Sequence, residues 1–313
     1  MKILIAGSSG LVGTALVTAL AKAGHTVCRL VRPQSVESDG AKDGFAVAWN
    51  PATGELGGAG VGADAVVNLV GASIAGGRWT AERKALLRSS RIGTTHALVG
   101  ALAKMNARPS VLVSASAIGI YGDRGDETLT EESKPGTDFL ADLAKEWEAE
   151  ALKAEALGIR VVLARFGIIL AREGGALAKM LTPFKLGLGG RLGSGKQWMS
   201  WVTLEDVVAI LRFAIENATV SGAMNVAPVR GAINIVSPQP LRNREFTKVL
   251  AKAVHRPALF PAPAFALRLT LGEMADALLL SSQRVAPQAL EKLGYRFLHP
   301  DLTSALSAVL TNN

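Results

Sequence analysis

Cysteine occurs once in this 313-residue chain, at Cys28, and tyrosine only twice. A single cysteine excludes an intramolecular disulfide and any cysteine-based metal cluster. It also suits a reducing compartment, so a cytoplasmic location is expected. The four histidines stand at no ligand spacing, and no metal site is expected. Aromatic residues make up 5% of the chain, and no basic run is interleaved with them. That argues against a nucleic-acid partner, although the formal net charge is +8. Every apolar run is broken by glycine, arginine or proline well short of the ~20 residues a membrane span needs, so no membrane partner is expected. The chain opens directly on an apolar strand, and no leader segment is expected.

What is present is a core-forming composition, with 49% hydrophobic and 19% charged residues. The stretch K-I-L-I-A-G-S-S-G-L-V-G (Lys2 to Gly13) dominates the reading. Ile3 to Ala6 reads as a strand buried on both faces, and Leu11 to Ala23 as the amphipathic helix after it. Between them, Gly7, Gly10 and Gly13 would allow the tight turn, the approach of a pyrophosphate and close helix packing. The helix N-terminus would then offer free N–H groups to the phosphates. A plain glycine-rich turn is the alternative, but the strand–turn–helix context favours dinucleotide binding. The candidate cofactor contacts here are Gly7, Ser8, Gly10, Leu11, Val12 and Gly13.

The second strand, His25 to Val31, ends without the acid that would hold a ribose 2′-hydroxyl. Val31 stands at that position and Arg32 follows, which favours NADP(H) over NAD(H). A surface arginine closing a strand is the simpler alternative. Phe45 to Trp49 and Asp64 to Val70 read as further strands. The end of the latter brings Asn68, Leu69, Val70, Gly71 and Ala72 toward the cofactor, although the Asn68 amide serves equally well as a structural group. Thr80 to about Lys104 reads as a helical run whose Arg83, Lys84, Arg88 and Arg91 form a solvated face. Val111 opens a strand continuing into S-A-S-A-I-G-I-Y-G (Ser114 to Gly122), and hydroxyls at the carboxyl end of such a strand lie at a ligand crevice. A helix from about Asp138 to Leu157 and a strand from Ile159 to Phe166 follow.

The glycine loop, N-L-V-G-A, S-A-S-A-I-G-I-Y-G and R-F-G-I-I-L occur in that order at the separations of one family. The chain resembles the extended, epimerase-like branch of the short-chain dehydrogenase/reductase superfamily. G-S-G-K-Q-W-M-S-W-V-T-L-E-D-V (Gly193 to Val207) is similar to that branch's substrate-loop-to-helix segment. More narrowly, W-N-P-A-T-G, R-S-S-R-I-G-T-T, K-E-W-E and L-G-E-M-A-D-A-L-L-L-S-S-Q-R-V-A-P resemble an NAD(P)-dependent epimerase/dehydratase-like group. Its members have been described loosely as cell-division inhibitors or nucleoside-diphosphate-sugar epimerases.

The resemblance implies a Rossmann α/β fold, a doubly wound parallel sheet with a smaller, mostly helical C-terminal substrate domain. Residues 1–228 would form the NADP-binding domain, with a substrate-loop excursion over about 172–200, and residues 229–313 the cap. It also implies a small polar, anionic substrate, because Lys179, Lys185, Arg191 and Lys196 fall in the segment that lies over the substrate. Trp198 and Trp201 would supply apolar walls, Thr203 would cap the next helix, and Gln283 and Arg284 would be the C-terminal residues nearest the cleft. Monomer and homodimer both remain open.

One departure stands out. The superfamily's chemistry uses a Tyr-x-x-x-Lys pair, but T-D-F-L-A-D-L-A-K (Thr137 to Lys145) places Phe139 and Leu143 there. Lys145 comes two residues late, about 200° around a helix. Ser116 then matches the family's hydrogen-bonding serine, Tyr121 is the nearest phenol, and Ser114 reads as a strand-end hydroxyl beside the cofactor. An NADP(H)-dependent oxidoreductase or epimerase is the leading expectation, with a non-catalytic NADP(H)-sensing protein as the alternative. Two similar segments, M-N-V-A-P (Met224 to Pro228) and N-I-V-S-P (Asn234 to Pro238), suggest an insertion between them.

Overall fold

Strand side chains alternate between faces, and here both faces are apolar, which requires helices on both sides. In the computed structural model, which describes residues 1–36, 45–58, 62–217 and 228–311, that is what forms. The first half supplies β1 (Lys2–Ala6), α1 (Leu11–Lys22), β2 (Thr26–Val31), β3 (Phe45–Asn50), β4 (Glu55–Leu56), β5 (Ala65–Asn68), α2 (Ala81–Arg88), α3 (Thr94–Ala103) and β6 (Val111–Ala117). After these come β7 (Thr128–Leu129), α4 (Phe139–Leu152), β8 (Arg160–Phe166), β9 (Ile168–Leu170), α5 (Gly175–Lys185), β10 (Trp198–Met199), β11 (Trp201–Thr203) and α6 (Leu204–Glu216). The chain finishes with β12 (Gly231–Ile235), β13 (Leu241–Arg242), α7 (Asn243–Ala253), α8 (Ala264–Leu271), α9 (Glu273–Ala275), β14 (Arg284–Val285), α10 (Gln288–Lys292) and α11 (Leu302–Thr311).

Eight strands form one sheet in the order β12-β8-β6-β5-β1-β2-β3-β4, parallel throughout except for the β3–β4 hairpin. The chain winds outward from β1 in both directions, the doubly wound arrangement expected. Ile3 and Ile5 pack with Leu16 and Leu20 of α1 and Ile210 and Leu211 of α6 on one face. Leu4 and Ala6 face the other way, toward Leu98 and Leu102 of α3 and Ala151 of α4. The crevice at the carboxyl ends of β1 and β5, where the winding reverses, is where such sheets bind ligands.

The sheet continues past residue 228, the boundary placed from sequence. β12 lies on its edge because Ile233 and Ile235 bury completely against β8 and α6. Of the two similar segments, Asn234 to Pro238 is therefore the one seen in the sheet, while Met224 to Ala227 lies outside the described residues. A second core joins the excursion to the C-terminal helices: Leu177, Leu181 and Phe184 of α5 pack with Phe246 and Leu250 of α7 and Leu302 and Leu306 of α11. Trp201 belongs to that core, fully buried, with its indole N–H donating to the Gln239 carbonyl. It is not a cleft wall. Among the described residues no helix is long and apolar enough to cross a membrane.

Candidate functional site

The turn after β1 excludes a side chain at Gly7 and at Gly13. Gly7 has φ +82°, and a Cβ there would lie 2.7 Å from the Leu69 carbonyl carbon and oxygen. A Cβ on Gly13 would lie 2.2 Å from the Gly7 oxygen. These contacts let β1, β5 and α1 converge. Gly10 is the N-cap of α1 and provides no side chain to satisfy the first-turn N–H groups. Ser8 is buried, and its carbonyl accepts from Thr14 Oγ1 at 3.3 Å. The result is a backbone cradle with a positive helix end at its base, a fit to the pyrophosphate of a dinucleotide.

Arg32 follows β2 in extended conformation, exposed, with no side-chain partner among the described residues. It lies two residues beyond Leu30, which pairs with Ala6 just before the glycine turn. The end of β5 forms the opposite wall. Leu69 N donates to Ala6 O at 2.8 Å, and Ala72 N donates to Ser90 Oγ at 3.1 Å. The buried Asn68 donates its amide to Thr95 Oγ1 at 2.8 Å and to Ser114 Oγ at 3.4 Å. Asn68 and Ser114 thus stiffen the strand ends, and their polar atoms are already engaged.

Arg91 does not lie on a wet face as the helical spacing suggests. Between α2 and α3 the helix widens into a π-turn, Ser89–Gly93, whose extra residue rotates Arg91 inward. Its guanidinium donates to the Ala72 carbonyl at 3.0 Å, stacks over Trp147 at 5.2 Å, and sits 3.0 Å from where a Gly71 Cβ would be. Burial, with a smaller contribution from Arg83, brings its pKa down to about 10. It is still charged at neutral pH, so a fixed cation stands behind the Gly71–Ala72 wall. The run R-S-S-R-I-G-T-T was the available signal.

Ser116 and Tyr121 are brought into one buried network. Ser116 Oγ donates to Glu148 Oε1 at 2.6 Å, and Arg165 clasps both Glu148 oxygens at 2.8 Å. Arg165 Nη1 donates to the Tyr121 hydroxyl at 3.0 Å, and that hydroxyl donates to Asn234 Oδ1 at 2.7 Å. Ser116 is 2% exposed and Tyr121 fully buried. Burial pushes the Tyr121 pKa up, and Arg165 only partly opposes it. Both hydroxyls are thus occupied inside the protein.

The face of α4 turned toward β6 carries Glu148 and, one and two turns earlier, Ala144 and Leu140; Leu140 packs at Gly119. The row facing Ser116 is therefore one residue on from Phe139 and Leu143, the latter buried on an adjoining face, and it holds neither tyrosine nor lysine. Phe139 instead meets Trp79 edge-on at 5.2 Å, with Lys84 4.9 Å above its ring.

Two connected clefts open beside α4. The smaller, about 250 Å³, lies between Trp79, Asp123, Asp138, Phe139 and Leu140 and, from the C-terminal segment, Arg268, Glu273 and Asp276. The larger, about 420 Å³, shares Asp123 and Asp138, is floored by Tyr121 and Gly122, and is also lined by Arg124, which Glu127 holds at 2.7 and 2.9 Å. Asp138 caps α4 by accepting from Ala141 N at 2.9 Å. Arg268 is held by Asp276 through bonds of 2.9 to 3.1 Å. The linings thus carry charges of both signs, and Lys185, Arg191 and Lys196 line neither cleft. Lys179 holds the loop before α2, donating to the Ala75 carbonyl at 3.2 Å. Trp198 stacks under Arg242 and Arg284 at 4.4 and 4.7 Å, also away from both clefts. Gln283 donates to the Gly122 carbonyl at 3.1 Å.

Comparison with known proteins agrees with this geometry. Residues 3–227 match the profile of the NAD dependent epimerase/dehydratase family, and residues 262–309 match a domain of unknown function, DUF1731. The chain is 43% identical over 310 residues to an epimerase family protein of Mycobacterium bovis, covering 99% of this chain and 97% of the relative. It is 38% identical over 313 residues to the Bacillus subtilis epimerase family protein YfhF, covering 100% and 99%. Among solved structures, a human epimerase family protein, SDR39U1, crystallised with NADPH, superposes with a TM-score of 0.86 at 31% identity over the whole of both chains.

Proposed function

The chain belongs to the NAD dependent epimerase/dehydratase family, and from that premise we propose that it is an NADP(H)-dependent oxidoreductase or epimerase of the atypical short-chain dehydrogenase/reductase type. The glycine cradle carries this reading. A Cβ at Gly7 or Gly13 would run into neighbouring backbone, and Gly10 leaves the first N–H groups of α1 without a side-chain cap and free to meet phosphate. Ser8, Leu11 and Val12 would line the same turn, and the Asn68–Ala72 strand end would wall it. Arg32, extended and unpartnered among the described residues, would take the 2′-phosphate. A human relative crystallised with NADPH supports that preference. The bound nicotinamide would supply hydride chemistry, and the protein its orientation.

The substrate would be a small polar molecule, and an anion remains compatible with the clefts, where Arg124 and Arg268 stand beside Asp123, Asp138 and Glu273. A sensing protein that binds NADP(H) without turnover is the second reading. It is favoured by one observation: the α4 row facing β6 has no proton-transferring tyrosine or lysine, and the nearby hydroxyls of Ser116 and Tyr121 are consumed internally.

Calorimetric titration of NADPH and NADH, with an Arg32→Ala variant alongside, tests the cofactor assignment. NADPH should bind more tightly than NADH, and the variant should lose that preference. Equal affinity of the parent protein for both would remove Arg32 from the site, and binding of neither would sink the reading. A screen of neutral, amine-bearing and carboxylate- or phosphate-bearing alcohols and ketones, followed by NADPH absorbance, separates enzyme from sensor. Steady turnover excludes the sensor, and tight binding without turnover across the screen favours it.

A further inference from the structure

Ten large apolar side chains stand exposed among the described residues, and they are unevenly placed. Six of them, Leu186, Leu188, Leu259, Phe260, Phe265 and Leu269, come from two short segments. Those segments run side by side. Phe260 N donates to Gly189 O at 3.2 Å, Ala262 N to Arg191 O at 2.9 Å, and Arg256 Nε to Lys185 O at 3.2 Å. α8 begins directly after this paired stretch, and none of its residues is buried. Phe265 and Leu269, 73% and 77% exposed, lie one turn apart on the same side of it. An apolar helix left this bare has its burial partner outside the molecule.

The charge of these segments indicates what that partner is. Residues 175–196 hold Lys179, Lys185, Arg191 and Lys196 with no acid, and residues 248–272 hold Lys248, Lys252, Arg256 and Arg268 with no acid. The other lysines and arginines of the chain match its 26 acidic residues one for one. The formal excess of +8 thus equals the cations of the two segments that expose the apolar side chains, although one of them, Arg268, is paired with Asp276 just beyond.

We propose that this region is a docking surface for an anionic lipid bilayer, with the leucines and phenylalanines entering the headgroup boundary and the cations flanking them. A basic, apolar face has that complementarity. Two copies meeting through it would bring like charges together. A nucleic-acid backbone would satisfy the cations but leave the apolar side chains in water. Docking would be peripheral, since among the described residues no helix is long enough to span a membrane.

The test is co-sedimentation of the full chain with vesicles of phosphatidylcholine mixed with phosphatidylglycerol, and with phosphatidylcholine alone. Binding is expected to the anionic vesicles only, and to weaken with salt. Each basic residue near such a surface strengthens partitioning about fivefold. Lys252→Glu combined with Arg256→Glu should therefore lower it at least about 25-fold. Phe265→Ser with Leu269→Ser should lower it as well, while thermal melting and NADPH titration verify that both variants stay folded. Absence of binding to anionic vesicles overturns the proposal. So does a dimer in light scattering that Phe265→Ser and Leu269→Ser dissolve, which would give the face to a second copy. Salt-sensitive duplex DNA binding indifferent to Phe265, without vesicle binding, would assign the charge to nucleic acid instead.

Discussion

A methyl group at residue 13 would need the space held by the Gly7 carbonyl oxygen, 2.2 Å away, and backbone cannot move aside as a flexible side chain can. Gly13→Ala should therefore destabilise the fold by roughly 1–3 kcal/mol and abolish NADPH binding, read by thermal unfolding and titration. The buried ion pair offers a second test. Glu148→Gln leaves Arg165 without its counter-charge and should cost about 3–5 kcal/mol in urea unfolding, whereas Glu148→Leu with Arg165→Met should recover most of that loss. Tyr121 is fully buried and Tyr295 partly so, and burial raises the pKa of each, with Asp206 adding to the effect at Tyr295. An alkaline absorbance titration should show tyrosinate forming at higher pH in the native protein than in the unfolded chain. The sign follows from linkage: above pH 10 the unfolded chain releases protons the native chain keeps, so these groups make folding less favourable as pH rises through that range. A normal tyrosinate step in the folded protein would contradict the buried placement.

At the scale of elements, α6 shows how a short motif joins distant parts. Thr203 caps it as the sequence suggests, accepting from Asp206 N at 3.0 Å. The buried Asp206 carboxylate in turn receives Thr203 Oγ1, Leu298 N and His299 N at 2.8 to 3.1 Å. Asp206→Ala orphans all three donors and should cost about 3 kcal/mol or more in unfolding free energy. The second half of this motif was invisible in sequence, because nothing local links residue 206 to 298. The same reason separates the legible from the hidden elsewhere. The glycine turn, its flanking strand and helix, and the continuous apolar strands obey local periodicity and were readable. Arg91 was not, since a π-turn shifts the helical phase by a residue without changing composition. Sequence set Phe139 and Leu143 at the tyrosine and lysine positions, with no partner to orient α4; in the structure the row that meets Ser116 is the next one, Leu140, Ala144 and Glu148. Trp201 was read as a cleft wall because its depth depends on α7 and α11, which arrive much later in the chain.

For the whole molecule, the boundary matters more than any single contact. A chain cut after residue 228 would lose β12 and expose the edge of β8, and it would also strip the second core from α5. Such a fragment should be poorly soluble and should bind NADPH weakly or not at all, measured by soluble yield and titration; a well-folded, cofactor-binding fragment would show that the sheet is self-sufficient at seven strands. Some 65 residues separate the end of β8 from the start of β12. At synthesis rates of about 5–20 residues per second, β8 waits roughly 3–13 s for its neighbour. For that interval the nascent chain carries a parallel strand with one unpaired backbone edge, one able to pair with a passing chain. How fast the ribosome delivers the last third of this protein therefore bears on its yield, quite apart from how stable the finished fold is.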